Sequence, residues 1–184
     1  YAIGSFKGTV DFDPGNQSFN LTGGNRSIFI LKLQTTGIFE WAKAIDATSN
    51  VVGNSIVADS FGNNYFTGSF TGECDFDPGA GSFNMIGENY IFNSKLDSSG
   101  NFVWSNSAGA SSSILPKSTT TDLSGNVYVT GIFHGTVDFD AGPGVKTLST
   151  APTDFSGDVF IAKFNSSGSL TWVKQIGDLY SDFS

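Results

Sequence analysis

The sequence predicts an all-β chain of three consecutive four-stranded antiparallel meanders. Three observations lead there. One long motif occurs three times at a spacing of about 63 residues. Each copy holds four short apolar segments separated by turn sequences, and amphipathic helical patterning is hard to find. The composition agrees: 184 residues include 18 Phe and 23 Gly against 1 Met, the aromatic and flexible residues that strands and tight turns use.

The register of the copies is set by four blocks. Tyr1-Ala2-Ile3-Gly4-Ser5-Phe6-Lys7-Gly8 matches Tyr65-Phe66-Thr67-Gly68-Ser69-Phe70-Thr71-Gly72 and Tyr128-Val129-Thr130-Gly131-Ile132-Phe133-His134-Gly135. Next come Val10-Asp11-Phe12-Asp13, Cys74-Asp75-Phe76-Asp77 and Val137-Asp138-Phe139-Asp140. Ile28 to Leu33 then matches Ile91 to Leu96 and Val159 to Phe164, and Trp41, Trp104 and Trp172 share one position. The copies span repeat 1 (1–64), repeat 2 (65–127) and repeat 3 (128–184), parts of one domain.

In the middle copy the strands are a (Ser55 to Asp59), b (Tyr65 to Phe70), c (Tyr90 to Leu96) and d (Phe102 to Ser107). Strands a and b are joined by Asp59-Ser60-Phe61-Gly62-Asn63, and c and d by Asp97-Ser98-Ser99-Gly100-Asn101. Asp opening a turn and Gly accepting a left-handed conformation near its end are hairpin chemistry. A longer excursion carrying Asp-Phe-Asp separates b from c. Tandem meanders of this kind are the pattern of β-propeller blades. The excursion accounts for the length beyond the ~40–50 residues of common blades. Tyr1 falls at strand b and the third copy stops after strand d, so the phasing predicts an incomplete ring. Such a chain is a piece of a longer protein, or closes only by assembling with another copy, because closed rings need about four blades or more.

The combined motif, carried by Gly4 to Lys43, Gly68 to Trp104 and Gly131 to Lys174, resembles the bacterial SBBP-type β-propeller repeat. The resemblance implies a large secreted or surface-anchored bacterial protein, Bacteroidetes-like, with no common catalytic activity. The second copy departs from it at Ser105-Asn106, and its following a segment, Ser118-Thr119-Thr120-Thr121, is unusually polar.

The Asp-Phe-Asp triplets are the main candidates for chemistry. On an extended segment Asp11 and Asp13, Asp75 and Asp77, and Asp138 and Asp140 each present two carboxylates on one side. Two readings stay open: a hard cation such as calcium held with loop carbonyls, or aspartates capping turns and pairing with charges. Lys32, Lys95 and Lys163 recur in phase within apolar strand c, which predicts pairing with these aspartates. Repetition argues against catalysis, since a catalytic constellation gives its members distinct roles at one site. His134, the only histidine, aligns with Lys7 and Thr71 and reads as surface decoration. Cys74 aligns with Val10 and Val137 and reads as a small buried residue. The tryptophans fit packing between blades or, alternatively, a sugar-stacking array.

A net charge of −8 disfavours nucleic acid and anionic membrane surfaces, and no apolar run approaches a membrane span. The expected function is a non-catalytic scaffold, adhesion or binding module, secreted or on the cell surface. Its partners would be further blades of the parent chain or another copy, and protein or glycan. The alternative is a fragment of a glycan-acting propeller enzyme or lectin whose active site lies elsewhere.

Overall fold

The computed structural model describes residues 1–110, 113–151 and 157–177, so the end of repeat 3 (178–184) lies outside the described residues. The described chain is strand and turn throughout, with no helix. The first blade comprises β1 (Ala2–Asp11), β2 (Asn20–Leu33) and β3 (Phe39–Ala47). The second comprises β4 (Asn50–Ala58), β5 (Asn64–Asp75), β6 (Asn84–Leu96) and β7 (Phe102–Ala110). The third comprises β8 (Ser113–Thr121), β9 (Val127–His134) with its continuation β10 (Thr136–Asp138), β11 (Thr147–Ser149), β12 (Asp158–Phe164) and β13 (Leu170–Ile176). Neighbours pair antiparallel in chain order, a–b–c–d, with strand a absent from the first blade. These are blades of the β-propeller type, as the sequence predicts.

The b–c excursion is more ordered than the loop its sequence suggests. Strands b and c run on past a bulge at Gly8 or Gly72, and the same break at Gly135 separates β9 from β10. These glycines have φ of +70°, +86° and +71°, a region that L side chains rarely adopt. The bent extension leaves its own blade and pairs with strand d of the blade before it. Ala47 meets Cys74 and Asp46 meets Asp75; at the next junction Ala110 meets Val137 and Gly109 meets Asp138. Strand a is also longer than predicted, because its first residues, Asn50 to Gly53, pair with Gly68 to Thr71 of β5, just before the bulge.

Alternation along the strands gives every blade two unlike faces. One is aliphatic and carries Ile28, Ile30 and Ile45 in the first blade; the other is aromatic and carries Phe66, Phe70, Phe76 and Phe92 in the second. These two faces bury each other. A second core between blades two and three joins Ile91 and Ala108 to Phe133, Phe139 and Phe160. The hydrophobic interior therefore lies between blades, and no single blade contains one.

A glycine opposite each strand c phenylalanine makes room for the ring. Gly4 pairs with Phe29, Gly68 with Phe92 and Gly131 with Phe160. A Cβ on Gly68 would lie 2.7 Å from the Phe92 ring and closer still to the Val52 carbonyl. Gly68→Ala should cost about 1–3 kcal/mol by overpacking, while Gly24→Ala, with nothing within 4 Å of its Cβ position, should stay within about 0.5 kcal/mol. Urea unfolding midpoints of the two variants check this.

Candidate functional site

All three Asp-Phe-Asp triplets adopt one geometry. The central phenylalanine turns inward. Phe76 is fully buried, with its ring centroid 5.3 Å from Phe70 and 4.9 Å from Phe92. Phe12 and Phe139 repeat the arrangement with Phe6 and Phe29, and with Phe133 and Phe160. The aspartates turn the other way and cap the loop. Asp75 Oδ1 accepts from the amides of Asp77 (3.0 Å) and Phe83 (2.8 Å), and Asp77 Oδ1 from that of Gly79 (2.8 Å). Asp11 and Asp13 hold Asp13, Phe19 and Gly15 in the same way; Asp138 and Asp140 hold Asp140, Lys146 and Gly142. Amides donated first by Phe19 and then by Asp13 keep the Asp11 carboxyl below its ordinary value.

The structure thus realises the turn-capping use of the triplet aspartates. Among the described residues no group of three or more His, Cys, Asp and Glu side chains is placed to share a metal ion. In each triplet one oxygen of both carboxylates is engaged by loop amides.

The in-phase lysines do not pair with the triplets. Strand alternation puts Lys32 on the side of Ile28 and Ile30, over the Tyr1 ring at 5.7 Å. Lys95 and Lys163 lie 5.0 Å and 5.1 Å from the Tyr65 and Tyr128 centroids, within cation–π range. Lys32 reaches Glu40 at 2.7 Å and Lys163 reaches Asp122 at 4.0 Å. The Glu40 carboxylate raises the Lys32 ammonium's pKa, and the Tyr128 hydroxyl does the same for Lys163. The expected lysine–triplet pairing is corrected on that geometry: the ammonium groups sit beside tyrosine rings, and their ion pairs are with Glu40 and Asp122.

Those tyrosines belong to a clasp that crosses the junction. Tyr1 and Trp41 have ring centroids 6.1 Å apart, Tyr65 and Trp104 6.2 Å. Trp41 Nε1 donates to the Ser98 carbonyl in the next blade's c–d turn at 3.2 Å, and Lys32 Nζ donates to the same oxygen. Trp104 Nε1 repeats this with Ser166. Gly100 and Gly168, in the same turns, lie against Trp41 and Trp104 so closely that a Cβ would meet the indole at 3.3 Å and 2.8 Å. Trp41 and Trp104 therefore pack between blades, each grasping a hairpin tip, while Trp172 packs on Tyr128 of its own blade.

The turn aspartates complete the pattern. Asp59 accepts from the amides of Phe61 and Asn63, the Asn63 side chain and the Tyr65 hydroxyl. Burial pushes Asp59 up, but these hydrogen bonds outweigh it and hold the carboxyl below its ordinary value. Asp97 follows the same balance, and Asp122 is lowered chiefly by the Asn126 side chain. Burial followed by the Asp59 hydrogen bond pushes the Tyr65 hydroxyl up. Cys74 is buried, with its thiol pushed up to about 12 mainly by burial, which leaves it unreactive near neutral pH. His134 is half-buried at the end of β9. Where the second copy departs from the motif, Ser94 and Ser105 share a buried hydrogen bond of 2.6 Å, and Asn93 is buried with both side-chain atoms unpartnered. Asn93 was not singled out in the sequence; its alignment with Ile30 and Ile161 was the available signal.

No family model matches the chain. It is 29% identical over 173 residues to an uncharacterized WD repeat-containing protein of Acanthamoeba polyphaga mimivirus. The match covers 87% of this chain and 12% of that protein, so the chain spans about an eighth of the relative's length.

Three measurements follow from these geometries. Asp75→Ala should destabilise by about 1–3 kcal/mol by leaving two amides unpaired, and Asp75→Asn, which keeps an acceptor, by less. Amide-capped loops also predict no change in Tm at millimolar calcium; a rise that Asp77→Asn abolishes would make the loop a cation site. Asp11, Asp59, Asp97 and Asp122 all have lowered folded values. Their stabilisation is therefore complete above the ordinary 3.8 and is lost as pH falls below it through the folded values. Tm measured from pH 6 to pH 2 should fall over that lower range, and fall less in Asp59→Asn.

Proposed function

We propose that the chain is a non-catalytic display scaffold, part of a large secreted or cell-surface bacterial protein that binds protein or glycan. The observation that carries this reading is repetition with a structural use. The triplet aspartates, the strand c lysines and the tryptophans recur in equivalent positions, and most of them are engaged in holding a blade or a junction. The triplet aspartates cap loops, the lysines lie on tyrosines, and Trp41 and Trp104 hold the next blade's turn. Catalysis needs unequal roles at one place. A rigid array presenting acidic loops needs equal units instead. The WD repeat-containing relative supports a repeat platform for protein contacts, and the resemblance to SBBP-type repeats supports the secreted bacterial setting.

A lectin reading has one observation in its favour. A cleft of about 500 Å³ lies between the first triplet loop and the first c–d turn, where Asp13, Asn16 and Gln17 face Thr36 and Phe39. Carboxylate and amide groups beside an aromatic edge are suited to sugar hydroxyls and C–H faces.

Incubating the purified chain with a panel of bacterial polysaccharides tests both readings. The scaffold reading expects saturable binding to a surface component without release of reducing ends. Turnover by the chain would sink it, and binding lost in Phe39→Ala with an unchanged Tm would favour the lectin.

A further inference from the structure

The seam between the second and third blades differs from the seam before it at two adjacent positions. Asn93 stands where the other copies have Ile30 and Ile161, and Asn106 where they have Lys43 and Lys174. The two asparagines are partners in the β6–β7 ladder, so their side chains rise next to each other from the face that meets the third blade. Asn93 is 4% exposed, and among the described residues neither its Oδ1 nor its Nδ2 has a hydrogen-bond partner. Asn106 Nδ2 donates to the Gly168 carbonyl at 2.6 Å, and its Oδ1 accepts from none of the described residues. Both amides line a small cavity whose opposite wall is Val129, Phe139 and Phe160 of the third blade.

We propose that this seam is a binding site for one ordered water molecule, which bridges Asn93 to Asn106. Volume selects the ligand. The cavity of about 10 Å³ matches the space that a single water sphere needs, and neither a sugar ring nor a hydrated ion enters it. The chemistry agrees, because an internal water makes about three hydrogen bonds to polar groups that the protein leaves unsatisfied. Here Asn93 Nδ2 donates to the water oxygen, and the two water hydrogens go to the Oδ1 atoms of Asn93 and Asn106. The first junction offers no such partners. Ile30 fills the place of Asn93 there, and Lys43 lays its stem on the next blade's turn, with Cε 3.0 Å from the Cβ position of Gly100. The shorter Asn106 leaves a way in: it and Phe164 line both the cavity and a surface cleft of about 160 Å³ that Asp140 and Ser169 border. All of the lining comes from the second and third blades, so the site needs no blade beyond them and does not rest on the display reading.

Magnetic relaxation dispersion of the water signal, which counts waters held longer than the protein takes to tumble, tests the proposal on the 184-residue chain. The comparison is with Asn93→Ile, which carries the residue of the other two copies and should keep the wild-type circular dichroism spectrum. The dispersion step of the wild type should exceed that of the variant by the amplitude of one water per chain. Equal steps overturn the proposal. A high-resolution crystal structure of the wild-type chain reads the site directly, whether or not the variant folds. A single density peak within hydrogen-bonding distance of both amides supports the bridging water. Asn93 and Asn106 bonded directly to each other with no peak between them overturns it, as does a metal ion or a larger molecule at that place.

Discussion

The burial of an aromatic face against the aliphatic face of the preceding blade is the constraint on which the rest of the fold depends. A four-stranded meander alone leaves both its faces in water. Stacking removes one face from each partner, and Phe76 and Phe139 come in from the excursions to join the aromatic side. The glycine opposite each strand c phenylalanine, the bulge glycine and the capping aspartates all serve to bring that one ring to its place. Acid groups that look reactive in the sequence are thus the outer part of an apolar anchor.

The junction is then secured by polar chemistry at its margin. Backbone pairing of β3 with β5 extends one blade's sheet into the next blade's excursion. Thr48 strengthens it: its amide donates to the Glu73 carbonyl, and its hydroxyl accepts from the Glu73 amide. At a second point on the junction the indole of Trp41 and the ammonium of Lys32 converge on a single turn carbonyl. A carbonyl at a tight hairpin tip has no ladder partner, so two donors there satisfy a group that would otherwise be costly to bury. Apolar area supplies the attraction, and these directional contacts set the registration of one blade on the next.

Much of this was legible in the residues because the repeat aligns equivalent positions. The a–b and c–d hairpins follow from Asp-x-x-Gly-Asn, and the buried place of Cys74 follows from Val10 and Val137. The excursion shows in the sequence only as a long connection between b and c, with Pro14, Gly15, Pro78 and Gly79 at its centre. Its flanks continue as strands only because a neighbouring blade supplies the pairing partner, and that information is not local. The lysines misled for a related reason. Phase along the chain said that lysine and aspartate recur together, but strand alternation and bulges decide which face each side chain takes. The amides of the same loop that each triplet aspartate caps are a contact that spacing alone does not reveal.

Asn93 has a consequence for how the assembly responds to load. It stands where the other blades have isoleucine, buried beside a cavity of about 10 Å³ between the second and third blades. In a linear array whose stability sums over nearest-neighbour contacts, the whole is only as persistent as its least favourable junction. An unpartnered amide lowers the work needed to part that junction relative to the one sealed by Ile30. The junction between the second and third blades is thus the one that carries a polar group no protein atom compensates, where its counterpart is sealed by aliphatic contact.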